Sequence, residues 1–139
     1  MKVNVIGCAA FALLIGALPA RANSFRAINT LTVNPITATE FEVIKKASTS
    51  PRAMWCAASD YSGRGLGRYN KTDLIIKTPI GPSATQPGRN GVVFTIDPNQ
   101  SDVAPTKSQS VTIKTAGASM SVGHAQMFCG DSISPFSRR

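Results

Sequence analysis

Apolar and polar residues alternate in several short stretches of this chain, which predicts β-strands with one buried and one solvated face. The stretches are 28–33, 40–45, 73–78, 92–97 and 110–115. In the second of them, Phe41 and Val43 are expected to face the core. Glu40 and Glu42 alternate with these residues and are expected to form a solvated pair. One-sided alternation of this kind favours an antiparallel sheet.

A helical periodicity follows Ser50 and Pro51, because serine can cap free amides and proline suits the first helical turn. Apolar residues then recur at helical spacing as far as Gly63, a residue that commonly ends a helix. The pattern predicts a helix over 51–62, with Trp55 on its flank as an anchor of the core. Together with the strands it predicts a two-layer α+β fold, with about five mostly antiparallel strands and one helix packed on one face.

The N-terminal segment has the order of a bacterial signal peptide. A lysine precedes an apolar run over 5–18, and Ala20 and Ala22 provide the small residues of a cleavage site. The run is too short to cross a bilayer, which takes about 20 helical residues. A lipid anchor is disfavoured because the first cysteine precedes most of the run. We expect residues 1–22 to be removed, leaving a single globular domain over 23–139 that is periplasmic or secreted, with no transmembrane segment.

The chain is basic, with 15 Lys and Arg against 7 Asp and Glu. The predicted mature form loses Lys2 and Arg21 but no acidic residue, so its net charge is +6. Such a charge can attract an anionic envelope component or an acidic partner protein, or it can serve solubility alone. Nucleic acid is not an expected partner, because the compartment is wrong and no recognition motif accompanies the charge.

Two cysteines, Cys56 and Cys129, remain after the predicted cleavage. An even number of cysteines in an oxidising compartment predicts a structural disulfide. The alternative is a redox-active or metal-bound pair, but redox pairs usually have CxxC spacing and these two cysteines are far apart.

A glycine-rich segment over 63–67 follows the predicted helix and is flanked by basic residues. Glycines let backbone amides converge on an anion, and nearby cations add charge. The spacing fits neither the dinucleotide fingerprint nor the P-loop, so a flexible helix-to-strand connection is the alternative. The candidate anion-binding residues are Arg64, Arg68 and Lys71.

His124 is the chain's only histidine and lies near Met120, Met127 and Cys129. Thioether, thiolate and imidazole groups suit copper(I), although a disulfide would remove the thiolate. A small His-dependent hydrolase or transferase is an alternative function, but no Gly-x-Ser-x-Gly elbow or other catalytic motif is present. We therefore expect no catalytic residue, no metal and no cofactor.

Two segments, WCAASDY over 55–61 and FTIDP over 94–98, occur together with a late cysteine. In these features the chain resembles a group of small exported alphaproteobacterial proteins with no assigned function. The resemblance implies export and pairing of the helix cysteine with the late one, and it carries over no catalytic or binding residue. The expected function is non-enzymatic binding of an anionic envelope component or partner protein. A secreted inhibitor module is a further alternative.

Overall fold

One seven-stranded sheet organises the chain in the computed structural model, which describes residues 23–132. The strands are β1 (Phe25–Arg26), β2 (Thr32–Pro35), β3 (Glu40–Lys45), β4 (Asp73–Pro82), β5 (Asn90–Thr95), β6 (Thr106–Lys107) and β7 (Ala118–Ser121). Their spatial order is β1-β2-β3-β5-β4-β7-β6, and all neighbours are antiparallel except β6 and β7. The predicted α+β class with a mostly antiparallel sheet is confirmed. The predicted signal peptide, residues 1–22, lies outside the described residues.

Among the described residues, three α-helices accompany the sheet: α1 (Pro51–Asp60), α2 (Val122–Gln126) and α3 (Cys129–Ser132). The start of α1 is as predicted, since Ser50 Oγ accepts a hydrogen bond from the Ala53 amide and Pro51 is the first helical residue. The helix does not stop at Gly63, because a π-helical turn over Tyr61–Gly65 continues it. The predicted disulfide is confirmed, with Cys56 in α1 bonded to Cys129 in α3 and their Cα atoms 4.9 Å apart.

The core lies between α1 and one face of the sheet. Trp55 is fully buried, its ring meets Phe94 edge-on at 5.1 Å, and its Nε1 donates to the carbonyl oxygen of Thr112 at 3.1 Å. Trp55 is therefore a core residue, as predicted. Burying an apolar side chain of this size stabilises a fold by about 1.5–3 kcal/mol or more. The sheet residues that complete this core are Val33, Phe41, Val43, Leu74, Ile76, Val92 and Phe94.

One predicted strand begins too early, and another does not form. Residues 28–30 belong to a turn, in which Thr30 has a positive φ of 70° and donates its amide to the Ala27 carbonyl. The strand β2 consequently begins only at Thr32. Residues 110–115 form no strand, and it is β7 that pairs with the start of β4. Ile113 is nevertheless buried, and its carbonyl accepts a hydrogen bond from the Ile80 amide.

The second face of the sheet is also covered, which corrects the prediction of a solvated acidic pair. Glu40 is 7% exposed and Glu42 is 1% exposed. Glu40 forms an ion pair with Lys77, and Glu42 lies beneath the turn that joins β4 to β5. Charged groups can be buried only when such partners satisfy them. Here β4, which is separated from β3 by β5, provides Lys77, and the turn provides the donors to Glu42.

Candidate anion-binding surface

Arg64, the first candidate from the sequence, is held in an internal ion pair. Its Nε and Nη2 donate to the two carboxylate oxygens of Asp60 at 2.6 and 2.5 Å. The guanidinium also lies over the Phe25 ring, 4.9 Å from its centroid. The hydrogen bond to Asp60 raises the pKa of Arg64 above its ordinary value. Because Asp60 also accepts the Ile28 amide at 2.7 Å, this pair fastens the N-terminal hairpin to α1.

The glycines of this segment are explained by packing. A Cβ atom on Gly63 would lie 2.7 Å from the Tyr69 ring, and one on Gly65 would lie 2.5 Å from the Tyr61 ring. Both distances are too short for real side chains, so only glycine lets the two tyrosines cover the helical turn. The expected flexible loop is therefore a packed π-helical turn as far as Gly65, followed by Gly67 with a φ of +70°.

Arg68 and Lys71, the other two candidates, are exposed beyond this turn. Arg68 lines a hollow of about 250 Å³ that also contains the acidic residue Asp97. A carboxylate in the same hollow opposes the binding of an anion there. The structure therefore separates the three candidates. Arg64 is paired, Arg68 shares a hollow with an acid, and Lys71 lies on the open surface.

A second basic group gathers where β3 ends and β5 begins. Lys45 is the cross-strand partner of Asn90, which brings Arg89 beside the two consecutive lysines Lys45 and Lys46. These residues line a hollow of about 270 Å³ that we call the basic cleft. Its described lining residues, none of them acidic, are Lys45, Lys46, Ala47, Gly88, Arg89 and Asn90. Three cations thus share one concave surface without a lining carboxylate.

A larger hollow of about 330 Å³ adjoins the basic cleft and shares Lys46 with it. The Nζ of Lys46 donates to the Thr30 carbonyl at 2.9 Å, so this lysine is held at the boundary of the two hollows. Ser50 and Ala53, at the start of α1, line the far side. The N-terminus of a helix carries a partial positive charge, which adds to the positive potential of this end of the molecule.

The acidic residues are mostly engaged elsewhere in the described chain. Five of them pair with a cation or accept hydrogen bonds: Glu40, Glu42, Asp60, Asp73 and Asp97. No described carboxylate lines the basic cleft, whereas Arg64 and Lys77 each pair with an acid. The hydrogen bond to Glu40 raises the pKa of Lys77, as expected for a cation that is paired with a carboxylate.

The three residues near His124 in the sequence that suggested copper(I) have different environments in the structure. Met120 is buried, Met127 is 74% exposed, and Cys129 is in the disulfide. Within residues 23–132, no group of three or more His, Cys, Asp or Glu side chains is close enough to hold a metal ion. His124 instead packs against the ring of Phe128, 5.5 Å between centroids.

Searches of protein-family models, curated proteins and solved structures found no match to this chain. The surface must therefore be interpreted from its own chemistry.

The consecutive lysines Lys45 and Lys46 were not predicted from the sequence as part of a site, and neither was Arg89. A signal was available, because Lys45 ends one clearly alternating stretch and Asn90 lies just before another. Antiparallel pairing of those strands would have brought the three cations together. In the described part of the chain, no helix has the length and apolar character needed to cross a membrane.

Proposed function

We propose that this protein is an exported, non-enzymatic binding domain that uses the basic cleft to hold an anionic component of the cell envelope. The observation that carries the proposal is the gathering of Lys45, Lys46 and Arg89 on one concave surface with no lining carboxylate. Export is supported by the signal-peptide pattern, by the disulfide, which suits an oxidising compartment, and by the resemblance to exported alphaproteobacterial proteins. The ligand chemistry that three cations favour is a phosphate-bearing headgroup.

The size of the effect follows from the charges. A Lys or Arg near an anionic membrane surface contributes about 1 kcal/mol of binding. Removing two of the cleft's cations should therefore cost about 2 kcal/mol, or roughly 30-fold in affinity. The pair to remove is Lys45 and Arg89, because Lys46 also holds the Thr30 carbonyl and its loss would disturb the loop.

The test is co-sedimentation of the mature protein with phosphatidylcholine vesicles, with and without phosphatidylglycerol. We expect binding only with the anionic lipid, weakened roughly 30-fold by Lys45→Gln with Arg89→Gln. The matched control, Arg68→Gln with Lys71→Gln, removes the same charge outside the cleft and should stay within about threefold of wild type. Absence of binding to anionic vesicles would overturn the proposal. Equal losses in the two double variants would show that only net charge matters and would overturn the assignment to the cleft.

A further inference from the structure

Glu42 is a buried carboxylate that the fold satisfies completely from one turn. It lies in the middle of β3 and is 1% exposed. Its Oε1 accepts hydrogen bonds from Ser83 Oγ at 2.5 Å, from Thr85 Oγ1 at 2.6 Å and from the Thr85 amide at 3.1 Å. Its Oε2 accepts the Ala84 amide at 2.8 Å. Four donors from three consecutive residues thus converge on a single side chain, so the carboxylate fixes the conformation of the turn.

The neighbouring strand β5 leaves room for this carboxylate. Gly91, on β5, faces Glu42, and a Cβ atom there would lie 2.9 Å from the carboxylate carbon. Asn34, the cross-strand neighbour of Glu42 in β2, donates from Nδ2 to Thr85 Oγ1 at 2.8 Å. The side chain is therefore enclosed by β2, β5 and the turn, and it has no room to release the turn by rotating away.

The turn held by Glu42 ends in the basic cleft. The Ser83 amide donates to the Arg89 carbonyl at 2.8 Å, and the Arg89 amide donates to the Gln86 carbonyl at 3.2 Å. Two consecutive steps, from Glu42 to Ser83 and from Ser83 to Arg89, connect the buried carboxylate to a cation of the cleft. Gly88, with a φ of +79°, allows the chain to reverse just before Arg89.

We propose that Glu42 is a positioning residue of the basic cleft: its buried carboxylate holds the turn over 83–89 and so presents Arg89 beside Lys45. This inference rests on the proposed function, because it concerns the same cleft. It predicts that binding affinity changes in the direction opposite to the one that simple electrostatics predicts. A negative charge near the cleft repels an anion, so neutralising Glu42 should tighten binding if charge alone mattered. If Glu42 positions Arg89, neutralising it should weaken binding.

The first variant is Glu42→Gln, which keeps one acceptor oxygen but places an NH₂ group against the donating Ala84 amide. A control on the same strand and face is Glu40→Gln, since Glu40 is also buried but is paired with Lys77 at the other end of β3. A second variant, Ser83→Ala, keeps the charge of Glu42 and removes one hydrogen bond, so it applies even where Glu42→Gln folds poorly. Circular dichroism identifies the conditions under which each variant is folded.

Co-sedimentation with vesicles containing phosphatidylglycerol measures the affinity. Amide hydrogen exchange at Ser83 measures how well its hydrogen bond to the Arg89 carbonyl is kept. We expect Glu42→Gln to weaken binding about fivefold, the effect of losing one cation, with faster exchange at Ser83. Ser83→Ala should weaken binding in the same direction, and Glu40→Gln should leave it unchanged or tighter. In an Arg89→Gln background, Glu42→Gln should cause no further loss, since the two changes remove one interaction.

Equal or tighter binding by folded Glu42→Gln would overturn the positioning role while leaving the proposed function standing. The same conclusion follows from an undiminished effect of Glu42→Gln in the Arg89→Gln background. Failure of the wild-type protein to bind anionic vesicles is a different result, because it overturns the proposed function and the role of Glu42 in it together.

Discussion

Removing the Cys56–Cys129 disulfide should destabilise this fold strongly. The bond joins residues separated by 73 positions and ties α3 to the middle of α1. In the chain-entropy model, closing a loop of this length stabilises the native state by about 4.4 kcal/mol, and real disulfides often deliver less. A domain of this size has a total unfolding free energy of about 5–15 kcal/mol. The bond therefore accounts for a large share of the stability.

The measurement is urea unfolding of wild-type protein with and without reductant, beside the double variant Cys56→Ala with Cys129→Ala. Alanine is preferable to serine, because Cys56 is fully buried and a serine hydroxyl there could lack a partner. Trp55 provides the signal, since it is the chain's only tryptophan and is buried beside Cys56. We expect the unfolding free energy to fall by about 3–4 kcal/mol and the melting temperature by roughly 15 °C.

Reductant should have no effect on the double variant, which makes that variant the control for the reagent itself. The reasoning is refuted if reduction changes the unfolding free energy of wild type by less than about 1 kcal/mol, well below the expectation from loop closure. It is refuted equally if both thiols of the untreated mature protein react with an alkylating agent.

Two further predictions concern Glu42 and Arg64, which are charged residues but not cations of the basic cleft. Burial alone would raise the pKa of Glu42, but hydrogen bonds from Ser83, Thr85 and Ala84 outweigh it and hold the pKa below its ordinary value of 4.5. A lowered folded-state pKa stabilises the fold above pH 4.5, and this stabilisation is lost as the pH falls through the folded-state value. The unfolding free energy of Glu42→Gln, measured with urea, should therefore fall less steeply towards acid pH than that of wild type. An unchanged pH dependence would contradict this. Arg64→Met should cost about 1–2 kcal/mol, discounted because the Arg64 side chain is 53% exposed while its partner Asp60 is buried. The same variant should keep wild-type affinity for anionic vesicles, and a loss of affinity as large as that of Arg89→Gln would contradict the structural role of Arg64.

The elements that the sequence predicts well are those in which local and long-range forces agree. The strand β3 has the predicted bounds, and α1 begins at the predicted cap. In both, a strong periodicity coincides with clear boundary residues. The segment 110–115 shows the opposite case, because its alternation correctly buries Ile113 but cannot tell whether a neighbouring strand is available to pair. Pairing depends on the whole topology, which no local pattern contains.

The residues of the basic cleft were not predicted from the sequence, for a related reason. Arg64 and its neighbours drew attention because they are adjacent in sequence to glycines, yet the glycines serve the packing of Tyr61 and Tyr69. Lys45 and Arg89 are far apart in sequence and become neighbours only through the register of β3 and β5. A binding surface built by strand pairing is visible from sequence only when the pairing itself is predicted.

The buried acids show where the one-sided interpretation of alternation failed and what could have corrected it. Glu40 and Glu42 share their face of the sheet with Ile75 and Val93, both of which are buried. The consecutive apolar residues around Ile75 and Val93 are typical of strands buried on both faces, so the sequence carried a sign that this face would be covered. On a covered face a carboxylate cannot be left solvated, and it must either pair with a cation or organise donors around itself. Glu40 takes the first course with Lys77. Glu42 takes the second, and the donors it organises belong to the turn that carries Arg89.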